Sequence, residues 1–144
     1  LQSFTTGGSY PHLFTYATYE TGVRRGYSVG VTTDGKSFTS MASEDNYSWD
    51  PIYGPADIAL NTWYHMVYVY DGRYMRVYIN GVLKATSTEH IGYNASLSHV
   101  HLGCGHRHNP SVVEDPTDCI LDEVKLYPRA LSETEIISHY NNHE

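Results

Sequence analysis

Apolar and polar positions alternate over short segments of this sequence, a pattern that predicts β-strands. Val and Tyr residues alternate with smaller ones over 26–32, and a strand of Thr, Tyr and Phe is expected over 13–19. The Asp34-Gly35 pair is typical of a hairpin turn and predicts a return strand over 37–42. The first part of the chain is therefore expected to be a small antiparallel sheet.

The central part of the chain predicts a three-stranded meander. Its strands are expected over 63–70, 74–79 and 82–87. Between the last two lies Asn80-Gly81, a pair suited to a type I′ turn because both central positions need positive φ. This is the clearest secondary-structure signal in the sequence.

The last third predicts two more strands and one helix. Val100 and Leu102 indicate a short strand, and 120–127 a longer one. Ser132 and Glu135 have the spacing of a capping box, which begins a helix. Many short strands and one terminal helix predict an all-β fold, a two-sheet antiparallel jelly-roll sandwich with one short C-terminal helix, as a single domain.

Composition and charge narrow the range of functions. The chain has 9 Lys and Arg against 16 Asp and Glu, a net charge of −7. This balance argues against nucleic-acid binding and against an anionic membrane surface. No apolar run approaches the length of a membrane span, so membrane insertion is not expected. The 14 Tyr and 12 Gly residues are typical of secreted β-proteins.

Three features predict a secreted, extracellular protein. Asn94 and Asn46 each begin a triplet that fits N-glycosylation, and Asn46 lies in a predicted loop over 43–57. Cys104 and Cys119 are expected to form a disulfide across a polar loop, with two buried free thiols as the alternative.

Two stretches of sequence resemble a known family. They are Thr-Trp-Tyr-His-Met-Val-Tyr-Val-Tyr-Asp-Gly at 62–72, continuing to Asn-Gly at 80–81, and Leu-Asp-Glu-Val-Lys-Leu-Tyr-Pro-Arg-Ala-Leu-Ser at 121–132. Both are similar to laminin G-like, or concanavalin A-like, jelly rolls, the broad group that includes pentraxins. The resemblance implies an extracellular module that binds glycans, proteins or cell-surface partners, often with calcium at a sheet rim.

The resemblance also bears on the extent of the domain. The family's first strand would precede Leu1, so the chain is expected to be one laminin G-like domain over 1–144, lacking that strand and excised from a longer chain. Neighbouring domains of the parent chain are then possible partners. Without the first strand, one sheet would carry an open edge.

The same fold hosts glucanases, which need two carboxylates flanking a glycosidic bond. The sequence lacks their Glu-x-Asp-x-x-Glu strand, and no nucleophile elbow or P-loop is present. We therefore expect no enzyme activity. An inactive glucanase-like domain is a distant alternative.

Calcium is the metal that the sequence favours. Glu114, Asp115 and Asp118 lie in one loop and could supply the oxygen ligands that calcium prefers, although a solvated acidic loop is the alternative. Zinc is a weaker hypothesis based on four histidines of the same region, namely His99, His101, His106 and His108.

A tyrosine-rich surface is the expected binding site. Alternation along the meander places Val67, Val69, Val77 and Ile79 on the core side and leaves Tyr64, Tyr68, Tyr78 and Arg76 on the other. Such side chains suit sugar stacking and protein contacts alike, while a second packed face is the alternative. The sequence thus predicts a non-enzymatic recognition or adhesion module binding glycan or an extracellular protein. A structural assembly module of a larger extracellular complex is the alternative function.

Overall fold

The structure is a computed structural model that describes residues 10–20, 23–42, 49–88, 100–105 and 115–142. These residues form eight strands and one helix. In chain order they are β1 (His12–Glu20), β2 (Val23–Val31), β3 (Lys36–Ala42), β4 (Trp49–Ala56), β5 (Met66–Tyr70), β6 (Met75–Ile79), β7 (Val82–Thr86), β8 (Val100–Leu102) and α1 (Glu133–Asn141).

The strands form two antiparallel sheets packed face to face. The larger sheet has the order β4-β3-β2-β1-β8, and the smaller has the order β5-β6-β7. Apolar side chains from both sheets, together with Ile58 after β4, form the core between them: Leu13, Phe14, Val29, Val31, Val77 and Ile79. The predicted all-β sandwich with one C-terminal helix is confirmed.

Strand β4 corrects the sequence prediction, which had assigned 43–57 to a loop. Residues Trp49–Ala56 pair with β3 although they include Pro51, Gly54 and Pro55. Pro cannot donate a hydrogen bond to a neighbouring strand, so it is tolerated at a sheet edge. Because β4 lies at the edge of the larger sheet, its poor strand composition is compatible with pairing on one side.

The predicted strand over 120–127 is a second correction, since the structure has no strand there. Glu123 adopts a left-handed φ of 52°, which interrupts the extended backbone. Ile120, Val124 and Leu126 all remain exposed. The strand predicted over 63–70 is also shorter, because β5 begins only at Met66.

Helix α1 covers the outer face of the smaller sheet. Ser132 is its N-cap, and the reciprocal hydrogen bonds with Glu135 complete the predicted capping box. Fully buried Ile136 packs against Val69 and Tyr78. None of the helices among the described residues combines the length and apolarity needed to cross a membrane.

Candidate functional site

The outer face of the larger sheet carries a row of ring-bearing side chains. Strand register places Phe38 opposite Tyr53 on one side and opposite Gly30 on the other, and Gly30 opposite His12. Residues directly opposite one another project from the same face of a sheet. Four neighbouring strands therefore bring these positions together on the face away from the core.

Tyr10 and Tyr53 form an exposed pair above Phe38, and we call these two tyrosines the aromatic platform. Each is 40% exposed, whereas Phe38 beneath them is 3% exposed. The ring centroids of Tyr10 and Tyr53 lie 6.5 Å apart, and the Phe38 centroid lies 5.7 Å from Tyr10 and 6.4 Å from Tyr53. The platform is thus held by a buried ring.

Gly30 makes room for this arrangement. A Cβ atom at Gly30 would lie 2.6 Å from the Phe38 ring and 2.2 Å from the carbonyl oxygen of Pro11. His12 completes the enclosure, with its ring centroid 5.4 Å from that of Phe38. The absence of a side chain at Gly30 lets Phe38 lie close to the sheet.

The Tyr53 hydroxyl of the platform stays protonated near neutral pH. Partial burial, and then a hydrogen bond with Tyr10, raise the pKa of Tyr53 to about 12. A neutral tyrosine offers an apolar ring and a hydroxyl that can donate and accept hydrogen bonds. That combination suits a ligand with both apolar C–H faces and hydroxyl groups.

Beyond the platform, the same face of the sheet is polar but buried. Ser28 and Ser40 share a hydrogen bond of 2.8 Å, and Thr15 Oγ1 donates to the carbonyl oxygen of Cys104 at 3.2 Å. His101 lies opposite Thr15 and is half-buried. These internal contacts fix the surface next to the platform.

The predicted tyrosine surface is wrong, because its residues lie on two different faces. Tyr64 and Tyr68 project into the sandwich and pack against the core, and the Tyr68 hydroxyl approaches the carbonyl oxygen of Gly30 at 3.5 Å. Tyr78 projects from the opposite face, where it is buried beneath Ile136. Burial raises the pKa of Tyr68 far above its usual range.

The register of the β5–β6 hairpin explains this correction. Tyr68 pairs with Val77 and Val67 pairs with Tyr78, so each tyrosine shares a face with a valine. The two-residue loop Gly72-Arg73 fixes this register. Counting residue pairs through that turn would have revealed the arrangement from the sequence.

Arg76 of β6 is held by contacts with the β5–β6 turn. Its guanidinium forms an ion pair of 2.6 Å with Asp71 and lies 5.6 Å from the centroid of the Tyr74 ring. Asp71 also accepts hydrogen bonds from the backbone N–H groups of Arg73 and Tyr74, at 2.9 and 2.7 Å. The hydrogen bond from the Tyr74 backbone is the main cause that lowers the pKa of the Asp71 carboxyl.

The predicted calcium ligands are not brought together by the described part of the chain. Asp115 is buried with a φ of 46°, whereas Asp118 is exposed and Glu114 lies outside the described residues. Within the described ranges, no group of three His, Cys, Asp or Glu side chains could hold a metal ion. The calcium site therefore stays a prediction. His101 is the described member of the predicted zinc set.

The cysteines differ from the expectation. Cys104 and Cys119 are both half-buried free thiols, which corrects the predicted disulfide. Cys119 packs against the core as a small apolar side chain, and burial raises the pKa of both thiols. The predicted glycosylation sites Asn46 and Asn94 lie outside the described residues.

Sequence reasoning missed the aromatic platform. Tyr10 precedes the first strand, and Tyr53 lies in a segment whose Pro and Gly content indicated a loop. The available signal was that Pro51 and Tyr53 are two residues apart, so that in a strand both would project from the same face. It becomes visible only once β4 is recognised as an edge strand.

Comparisons with known proteins agree with the fold. A family model described as the concanavalin A-like lectin/glucanases superfamily matches residues 3–137. No curated protein sequence matches the chain significantly.

Solved structures with the same architecture include two of the CBM40 module of the Ruminococcus gnavus IT-sialidase. The first has a TM-score of 0.79 at 18% identity and covers 95% of this chain and 77% of that one. The second, with the module bound to α2,3-sialyllactose, has a TM-score of 0.79 at 18% identity, over 96% and 78% of the two chains.

A native heptameric SAP-like pentraxin from Limulus polyphemus is also similar. It has a TM-score of 0.66 at 22% identity, and the match covers 96% of this chain and 65% of the pentraxin. At these identities the similarities show a shared fold.

Proposed function

Since this chain belongs to the concanavalin A-like lectin/glucanases superfamily, we propose that it is a non-enzymatic, extracellular glycan-binding module. The observation that carries the proposal is the aromatic platform of Tyr10 and Tyr53. Two exposed rings supported by buried Phe38 offer a rigid stacking surface for a sugar ring. The sialyllactose-bound CBM40 module shows that this fold can serve glycan binding elsewhere.

The chemistry of the platform explains how it would hold a sugar. The C–H face of a pyranose stacks on an aromatic ring, and tyrosine hydroxyls exchange hydrogen bonds with sugar hydroxyls. The rings are already positioned by packing on Phe38, so little side-chain entropy is lost on binding. A shallow exposed pair of rings suits the end of a glycan chain.

A glycan array tests the proposal. The purified protein should bind a restricted set of glycans, and α2,3- and α2,6-sialyllactose should be among the probes. Tyr10→Ala and Tyr53→Ala should each weaken binding at least about 10-fold, since aromatic anchors commonly contribute 2 kcal/mol or more. Tyr53→Phe, which keeps the ring, should retain most of the affinity.

Tyr127→Ala is the matched control, because Tyr127 is 41% exposed and lies outside the platform. It should bind as the wild type does. Equal binding by Tyr53→Ala and Tyr127→Ala would refute the platform. Binding to no glycan would favour the alternative of a structural assembly module.

Repeating the binding measurement with a chelator tests whether binding needs calcium. Stacking and hydroxyl hydrogen bonds need no ion, so binding through the platform should persist in EDTA. Loss of binding on chelation would contradict this mode of binding. Asp115 and Asp118 would then be the candidate calcium ligands, and Asp→Asn substitutions at these positions would test them.

A further inference from the structure

The aromatic platform lies at one end of a longer row of side chains on the edge strand β4. Trp49, Pro51 and Tyr53 are separated by two residues each along this strand. Alternate residues of a strand project from the same face, and Ile52, which alternates with them, packs against the core. The three side chains therefore share the face that points away from the core, and we call them the β4 strip.

The accessible surface on this part of the face follows β4. Pro51 is exposed and Trp49 is half-buried. The β3 residues paired with them are Ser40 and Ala42, which are only 6% and 1% exposed. A ligand that continues beyond the platform in this direction would therefore run along β4.

The length of the β4 strip exceeds that of one sugar ring. A strand rises about 3.3 Å per residue, so the Cα atoms of Tyr53 and Trp49 are roughly 13 Å apart. The indole of Trp49 offers a large aromatic face and an N–H donor, and Pro51 adds apolar surface between the two aromatic residues. The chemistry and the length together suit several linked sugars.

The strand that carries the β4 strip is held in place before any ligand binds. Pro51 and Pro55 fix two φ angles within β4. Pairing with β3 fixes one side of the strand, and β7 of the smaller sheet packs against it. Side chains on a fixed strand lose little backbone entropy on binding, which favours affinity.

We propose that the β4 strip extends the platform into a binding site for an unbranched oligosaccharide, with Trp49 as its second stacking anchor. The end sugar would stack on Tyr10 and Tyr53, and the following sugars would pass Pro51 to reach Trp49. This inference rests on the proposed glycan binding, and it adds the length of the ligand and the residue that recognises this length.

Titration calorimetry with oligosaccharides of two and six sugars tests the β4 strip, with probes from the cello-, chito- and N-acetyllactosamine series. In a series that binds, the wild type should prefer the longer form by at least about 10-fold, the usual contribution of one aromatic anchor. Trp49→Ala should abolish this preference. Trp63→Ala is the matched control and should keep it, because Trp63 is the other of the two Trp residues and is 65% exposed outside the β4 strip.

The outcomes separate this inference from the proposed function. If Tyr53→Ala weakens binding while Trp49→Ala keeps the wild-type preference for the longer form, the β4 strip is overturned and the platform is supported. Equal affinity of the wild type for the two lengths, or binding only of glycans outside these series, would also overturn the β4 strip. Binding to no glycan at all would overturn the proposed function and this inference with it.

The indole N–H signals of the wild-type protein in an NMR spectrum provide a readout if Trp49→Ala fails to fold. Residues 1–144 contain two Trp residues, so Trp63→Phe assigns both signals. The six-sugar ligand should shift the Trp49 signal, and the two-sugar ligand should shift it much less. The Trp63 signal should stay in place with both ligands. A Trp49 signal that the bound six-sugar ligand leaves unchanged would overturn the proposal.

Discussion

Gly30→Ala is the substitution for which the structure gives the clearest expected cost. Gly30 does not have a positive φ, so its backbone accepts alanine and the effect comes from space alone. The new methyl group would lie 2.2 Å from the Pro11 carbonyl oxygen and 2.6 Å from the Phe38 ring. A backbone oxygen cannot turn away as a flexible side chain can, so the N-terminal end of β1 must move.

Two effects contribute to the loss of stability in Gly30→Ala. Overpacking of this kind typically costs 1–3 kcal/mol. The Pro11 oxygen also accepts a hydrogen bond of 3.1 Å from the N–H group of Val31, and loss of that bond would leave a buried donor unsatisfied, at about 1–3 kcal/mol. Since the two effects share one displacement, we expect a decrease of about 3 kcal/mol in the free energy of unfolding.

Urea denaturation measures this change, provided that the slope of the transition is unaltered. Gly72→Ala is the control, because Gly72 has a φ of 91° and nothing near its missing Cβ. That variant should lose about 1 kcal/mol from backbone strain alone. If Gly30→Ala lowers the free energy of unfolding by no more than Gly72→Ala does, the steric reasoning is refuted. Gly30→Ala should also weaken glycan binding, because Phe38 supports the aromatic platform.

Three further predictions concern the helix and the thiols. Ile136→Ala should destabilise the protein by about 3 kcal/mol in urea denaturation, whereas Ile137→Ala, at an exposed position, should cost less than about 1 kcal/mol. Hydrogen bonds from Arg129 and then Ser132 lower the pKa of Glu135 to about 2 from its ordinary 4.5, so its stabilising effect is complete above pH 4.5 and is lost as the pH falls towards 2. Glu135→Gln should flatten the stability–pH profile between pH 4.5 and 2. An unchanged profile would show that Glu135 does not cause this pH dependence. Burial should make Cys104 and Cys119 alkylate more slowly than an exposed thiol, and denaturation should abolish the difference; a mass gain of two protons on reduction would show a disulfide instead.

The sequence by itself determined the features that depend on neighbouring residues. Asn80 and Gly81 have φ values of 51° and 76°, as the turn prediction required. Ser132 and Glu135 form their capping box because both partners lie within one helical turn. Such contacts are complete within a few residues, so local sequence is sufficient to specify them.

Strand formation was predictable only where the partner strand was also evident. Residues 49–56 have two prolines yet form β4, because pairing on one side with β3 is enough at a sheet edge. Residues 120–127 have a strand-like composition, yet they pair with none of the strands in the described part of the chain, and the left-handed φ of 52° at Glu123 interrupts their extended backbone. Composition describes the capacity of a segment to pair, and the tertiary structure decides whether a neighbour is present.

The candidate site depended on the tertiary structure for the same reason. Tyr10 and Tyr53 come from segments that are distant in sequence, and they meet because β1 to β4 pair in register around Gly30 and Phe38. The tyrosines of β5 and β6, which looked like a surface in the sequence, were divided between two buried faces by the hairpin register. Alternation predicts that two faces exist, but only the pairing of whole strands decides which face becomes core and which remains in contact with solvent.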